Sequence, residues 1–228
     1  IIKRDGSKEH LNIDKIHKVV MHACEGLAGV SASLIEMNAN IQFYDGMSTQ
    51  EIQEVLIRSA NDLINLEAPN YQYAAARLLA YTLNKQVFGE YDAISFYDMI
   101  NKNIQRKVYD PEILKSYTKE EIDSLDSYIK HKRDENFTYA GLRQVVDKYL
   151  VQDRSTDEIF ETPQFMYMMI AATLFANYPK EDRMYYVRRY YDATSLFKIN
   201  IPTPVMAGVR TPVRQFASCV LVDSDDTL

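Results

Sequence analysis

The sequence predicts a mainly α-helical protein: a β-hairpin lid on a small helical bundle, then a second helical region, then a terminal strand. Three observations carry this. Asp5-Gly6 lies between two short β-prone runs, 1–4 and 7–11, and such a pair is a strong hairpin signal because tight turns need positive φ that Gly and Asp tolerate. Apolar residues then recur at helical spacing along most of the chain. The 228 residues hold seven Gly and seven Pro, which punctuate these stretches and are too few for long flexible linkers.

The elements follow in order. A first helix starts near Asn12 or Asp14 and carries Ile13, Ile16, Val19, Val20, Ala23 and Leu27 on one face, with Gly26 and Gly29 marking its end. Ser33 and Glu36 form a capping box for a second helix through about Phe43. Asp45-Gly46 turns the chain, and Ser48 with Glu51 caps a third helix that aligns Ile52, Val55, Leu56, Ser59, Ala60 and Leu63. Pro69 fits the first position of a fourth helix, which runs to about Phe88 and is closed by Gly89. Further helices are expected over 95–109, 111–117, 119–131 and 138–149, with a small hairpin around 153–157. Thr162-Pro163 opens a helix over 164–177 that is apolar nearly all round and hence buried, and an amphipathic helix follows over 181–197. Pro202, Pro204 and Pro212 predict an extended segment, and 216–222 reads as a strand.

Bulk properties narrow the function classes. A hydrophobic fraction of 46% and a charged fraction of 25% are those of an ordinary globular protein with ample core. The net charge of −6 gives no general attraction to nucleic acid or acidic membranes, so any phosphate site must be local. Cys24 and Cys219 are far apart, which is not a disulfide framework, and no CxxC or Cys/His cluster suggests a metal. His17 and His22 are five apart, not the four of a helical metal pair, and with His10 and His131 they form no catalytic constellation. The longest apolar run, 165–176, is shorter than the ~20 residues a membrane span needs. With no initiator Met and no signal-like start, the sequence reads as a trimmed piece of a reduced, cytoplasmic protein.

One constellation carries chemistry. A nucleoside triphosphate needs several cations at close range. Lys3 and Arg4 on the hairpin, Lys15 on the first helix and Lys85 near the end of the fourth converge only if the helices fold back under the hairpin. Thr49, at a helix N-terminus, adds a hydroxyl and backbone N–H groups suited to phosphate. Any one lysine alone is most simply a surface charge; the joint pattern carries the weight. Neither GxxxxGK followed by Ser or Thr nor GxGxxG occurs.

Lys3-Arg4-Asp5-Gly6, then Glu9, then Asn12-Ile13-Asp14-Lys15-Ile16, resembles the opening of the ATP-cone, the regulatory nucleotide module of ribonucleotide reductases. Much further on, Ile201-Pro-Thr-Pro-Val-Met-Ala-Gly and Phe216-Ala-Ser-Cys-Val-Leu look like the approach to the catalytic barrel of the class I large (α) subunit, in order and at about the expected distance. The resemblance runs over essentially the whole chain and covers only the N-terminal part of that subunit. It implies an ATP-cone over 1–90, a helical region over 91–200, and the lead-in and first strand of an α/β barrel over 201–228.

By that resemblance Lys3, Arg4, Glu9, Asn12, Lys15, Thr49 and Lys85 fall on nucleotide-contacting positions, for ATP as activator or dATP as inhibitor with Mg²⁺. Gln53 and Thr82 stand where related α subunits often have His, so the ribose or base contacts of those positions are not carried over. Asp226 matches a residue of the separate specificity-effector site. The implied partners are a second α subunit, a radical-generating β subunit that holds the radical cofactor, and thioredoxin or glutaredoxin as reductant.

Taken alone, Cys219 between Ala217, Val220 and Leu221 reads as a buried apolar thiol in a strand. The resemblance instead implies one thiol of a redox pair, with Thr203 and Ser218 contacting substrate. In that chemistry a thiyl radical on another cysteine abstracts the 3′-hydrogen of a ribonucleoside diphosphate. A dithiol then reduces the 2′-carbon and becomes a disulfide. The second thiol, the radical cysteine and the catalytic carboxylate would lie beyond position 228, so this stretch alone is expected to show no turnover. Cys24, on the first helix, is expected in the core. The alternative is a non-catalytic ATP/dATP-binding regulator; the lack of zinc-ligand cysteines argues against its known form beside a zinc ribbon.

Overall fold

A computed structural model describes residues 1–3, 6–214, 216–219 and 221–222. They form two units: Ile1–Ala93 with His131–Asp147, and Ile94–Lys130 with Lys148–Leu228.

The first unit is a helical bundle under a hairpin. Helix α1 (Ile13–Cys24) is capped by Asn12, whose side chain accepts from the Lys15 N–H at 3.1 Å. Helix α2 (Ala32–Asn40) is capped by Ser31 and not by Ser33, and it stops short of Phe43. The physical reason is tertiary: the Tyr71 hydroxyl lies 3.0 Å from the Ser31 N–H and accepts its hydrogen bond, which fixes the cap two residues earlier. Helix α3 (Thr49–Asn61) opens with the expected Ser48/Glu51 capping box. Helix α4 (Tyr71–Phe88) begins two residues after Pro69, because the Asn70 side chain donates to the Ala28 carbonyl at 2.9 Å. Gly89, at φ +82°, closes it. Helix α4 packs against α1, α3 and a 3₁₀ turn at His131–Asn136. That central position explains why Ala74, Ala75, Ala76, Leu78 and Leu83 are all buried, where a surface helix would show a single apolar stripe.

The hairpin is short and tied down. Ile2 bridges Lys8 antiparallel and Ser48 parallel, so its backbone sits between the return strand and the start of α3. The Lys3 N–H donates to the Ser7 carbonyl and the Gly6 N–H to the Lys3 carbonyl, with Gly6 at φ +81°. Gly6 takes a left-handed conformation at this return, and Asp5 of the expected Asp-Gly turn lies outside the described residues.

The second unit opens with α5 (Phe96–Gln105), capped by Ser95, then α6 (Glu112–Ser116) and α7 (Lys119–Asp126). Helix α7 ends before the predicted 131 because the Lys130 N–H donates to the Tyr191 hydroxyl and not along a helix. Helix α8 (Tyr139–Lys148) leads from the first unit into the second. The expected hairpin is present as β1 (Gln152–Asp153) and β2 (Glu158–Ile159), paired antiparallel. Helix α9 (Pro163–Leu174) is buried at every position from Pro163 to Ala172, and α10 (Lys180–Ser195) packs on it.

The segment expected to be extended at 201–212 instead contains α11 (Thr203–Gly208). Pro202 stands just ahead of this helix and Pro204 in its first turn, where a missing N–H costs nothing. The described residues of 216–222 carry no strand and are exposed, so the predicted strand is absent there. A strand exists only with a hydrogen-bonded neighbour, and no described residue supplies one. No described helix is long and apolar enough to cross a membrane.

Candidate functional site

In the first unit, the hairpin, α1, α3 and the end of α4 enclose a cleft of about 620 Å³. Lys3 and Glu9 line it from the hairpin, Asn12 and Lys15 from the start of α1, Thr49 from α3 and Lys85 from α4. Six of the residues singled out for nucleotide contact thus share one cavity. Arg4 lies outside the described residues, as does Asp226.

The local chemistry assigns each a different state. Lys3 Nζ is 2.6 Å from a Glu9 carboxylate oxygen, and this hydrogen-bonded pair holds the Glu9 carboxyl below its ordinary value. Asn12 spends its side-chain oxygen on capping α1, which orients Lys15 at the first turn of that helix. Lys15, with Lys18 one turn on, has no carboxylate within ion-pair distance among the described residues. Lys85 Nζ stands 4.7 Å from the Tyr81 ring centroid, a cation–π contact that places the ammonium against an aromatic face.

Thr49 behaves differently from the sequence reading. Its backbone N–H donates to the Ile2 carbonyl at 2.9 Å, and the Glu51 N–H is taken by the Ser48 hydroxyl. Two of the α3 N-terminal donors are therefore consumed by the hairpin and the cap. What Thr49 offers the cleft is its hydroxyl.

Sequence reasoning missed Tyr81, Lys18 and the apolar wall of Ile16, Val19 and Ile52. Two of these had a signal. Tyr81 is one helical turn before Lys85, and Lys18 is three residues after Lys15, spacings that share a helix face. Gln53, one of the two positions where related α subunits often have His, also lines the cleft, whereas Thr82 does not and instead donates to the Leu78 carbonyl at 3.0 Å.

In the second unit, Thr203 is the first residue of α11, and its hydroxyl lies 3.3 Å from that of Tyr149. Ser218 and Cys219 are exposed, with Ser218 Oγ 3.9 Å from Cys219 Sγ. No hydrogen bond joins Thr203 to that pair among the described residues. Cys219 is therefore an accessible free thiol, not the buried strand residue its neighbours suggest. Cys24 is half-buried and free, and burial pushes its thiol up to about 11.

Beside α11 lies a buried cluster that no local sequence pattern signals. Arg210 and Glu161 are both fully buried and form an ion pair. The guanidinium also donates to the backbone carbonyls of Tyr149 and Met206. Glu161 accepts in turn from the Tyr109 hydroxyl at 2.5 Å and the Val151 N–H at 2.7 Å. The cluster thereby fastens α11 to the Tyr149 segment. Its partners are 49 residues apart, beyond any local pattern. Among the described residues, no group of three His, Cys, Asp or Glu side chains is arranged to hold a metal.

Comparison with known proteins gives two family matches, the second of which begins inside the segment that packs with the first unit. Residues 1–86 match the family model of the ATP cone domain, and residues 135–214 match that of the ribonucleotide reductase all-alpha domain. Over all 228 residues the chain is 51% identical to the ribonucleoside-diphosphate reductase subunit alpha of Haemophilus influenzae and 50% identical to ribonucleoside-diphosphate reductase 1 subunit alpha of Escherichia coli. The corresponding subunit of Enterobacteria phage T4 is 45% identical over 230 aligned residues. In each case all of this chain is covered, and it spans 30% of the relative's length.

Proposed function

We infer, for a chain that belongs with the ribonucleoside-diphosphate reductase α subunits and matches their N-terminal region, that its first unit binds ATP or dATP as an effector. The observation that carries this reading is the convergence of Lys3, Lys15 and Lys85 on one cleft with Thr49 and Asn12. Several ammonium groups facing one cavity offset a triphosphate at close range, and the apolar wall suits a nucleoside. Mg²⁺ would ride on the phosphate oxygens, because among the described residues the cleft supplies a single carboxylate, Glu9, already paired to Lys3.

In the complete subunit the second unit would lead into the catalytic barrel, with Cys219 as one redox thiol and Thr203 and Ser218 at the substrate, a ribonucleoside diphosphate. Asp226 would serve the specificity effector. ATP would activate and dATP inhibit by changing how an α dimer meets the β subunit that holds the radical cofactor, and thioredoxin or glutaredoxin would restore the dithiol.

The test is calorimetric titration of the chain with ATP and dATP in Mg²⁺, beside a Lys3→Ala/Lys15→Ala variant. Saturable binding that weakens at least tenfold in the variant is expected. A folded parent chain that binds neither nucleotide would remove the effector reading.

A further inference from the structure

In the second unit the hydroxyls of Tyr149 and Thr203 meet at 3.3 Å, joining the residue just past α8 to the first residue of α11. Thr203 is exposed and Tyr149 half-buried. Among the described residues Thr203 is the only hydrogen-bond partner of the Tyr149 hydroxyl, so that hydroxyl ties nothing in the core. The backbone beneath each side chain, by contrast, is held by one rigid group. Arg210 donates through Nη2 to the Tyr149 carbonyl at 2.8 Å and through Nη1 to the carbonyl of Met206, three residues along α11 from Thr203. The guanidinium is planar and fully buried against Glu161, which itself accepts from the Val151 N–H two residues after Tyr149. The spacing of the two hydroxyls is thus set by the buried clasp and not by the solvent-facing side chains.

We propose that Tyr149 is a positioning residue for the substrate: it holds the Thr203 hydroxyl with its proton turned outward, so that Thr203 donates to an acceptor oxygen of the ribonucleoside diphosphate. The role rests on the reading of Thr203 as a substrate contact and goes beyond it by naming the group that orients it. A threonine hydroxyl carries one proton and two lone pairs, and its proton turns to suit its surroundings. A phenol is a stronger donor than an aliphatic hydroxyl, so Tyr149 donates and Thr203 accepts. That bond occupies a lone pair of Thr203 and leaves its proton for a third group. Ionised diphosphate oxygens only accept, so a free donor is what they require. Hydrogen bonds in a chain polarise one another, so Tyr149 also strengthens the donor that it aims.

The experiment is steady-state reduction of CDP by the complete α subunit with its β partner, at saturating effector, for the parent, Tyr149→Phe, Thr203→Val and the double variant. KM decides the outcome, because a merely structural loss lowers the fraction of active enzyme and so moves apparent kcat while leaving KM in place. Tyr149→Phe keeps the ring and removes only the hydroxyl. It is expected to raise KM three- to tenfold, the size of one neutral hydrogen bond, with kcat within twofold of the parent. Thr203→Val is expected to raise KM at least as much, and adding Tyr149→Phe to it should change KM by less than twofold, the signature of a coupled pair. A Tyr149→Phe KM within twofold of the parent, or the same rise on the Thr203→Val background, overturns the positioning role while leaving Thr203 at the substrate. Thr203→Val with the KM of the parent removes the substrate reading of Thr203, and the role of Tyr149 with it.

Discussion

Replacing Arg210 by Met takes the guanidinium out of the buried cluster that fastens α11, and the structure sets the size of the effect. Both members of the ion pair are fully buried, so solvent screening does not soften the loss. Arg210 Nε donates to both Glu161 oxygens, at 3.1 and 2.9 Å, and its terminal nitrogens hold the carbonyls of Met206 and Tyr149. After Arg210→Met, Glu161 keeps only the neutral donors of Tyr109 and Val151, and two backbone carbonyls lose their partners. Removing one partner of a buried pair costs about 3–5 kcal/mol, and the orphaned carbonyls put this case near the top of that range. A loss of about 5 kcal/mol lowers Tm by roughly 10–20 °C in a chain of this length.

The assay is urea unfolding followed by circular dichroism and tyrosine fluorescence, since the chain has no Trp. If the two units unfold in separate steps, only the step of the second unit is expected to move. The double variant Arg210→Met/Glu161→Gln should recover at least about 2 kcal/mol, because it removes the uncompensated charge. A single variant that loses less than about 1 kcal/mol at unchanged m would refute the reasoning. The cluster would then be packing, not an electrostatic clasp.

Two further predictions concern titration and reactivity. Burial depresses His131 to about 4, below its unfolded value near 6.5. The folded state therefore resists protonation, so stability is complete above about pH 6.5 and declines as pH falls toward 4, by at most about 3 kcal/mol. His131→Gln should flatten that slope, and an unchanged slope would contradict it. With a disulfide-exchange reagent at neutral pH, Cys219 should react fast and Cys24 slowly until the chain is unfolded, because burial holds the Cys24 thiol near 11. Cys219→Ser should abolish the fast phase; equal rates in the folded chain would show that Cys24 is not shielded.

Local chemistry explains what could be read from residues alone. Ser48 and Glu51 are three apart and close a cap with their own backbone, so the start of α3 needed no tertiary information. Helix α9 was legible because an apolar run behind Thr162-Pro163 has one stable outcome, burial on all sides. The same local logic failed where a distant residue intervened. Tyr71 moves the cap of α2 to Ser31, and Tyr191 draws Lys130 out of α7. Pro202 and Pro204 fit an extended strand and a first helical turn equally well by φ, and burial of Met206 beside Arg210 decides for the helix.

The site divides along the same line. Spacing and residue type fixed the hairpin, the helices and the set of lysines that a phosphate ligand would require. Convergence is a property of the tertiary fold alone: it depends on α4 running back past α1 and α3 to bring Lys85 to Lys3 across 82 positions of chain. The fold also decided which groups remain for a ligand, by spending the Thr49 N–H on Ile2 and the Asn12 oxygen on Lys15 while leaving Gln53 Oε1 unmatched. A sequence records donors and acceptors but not their pairing, because pairing is settled by distances that exist only once the chain has folded.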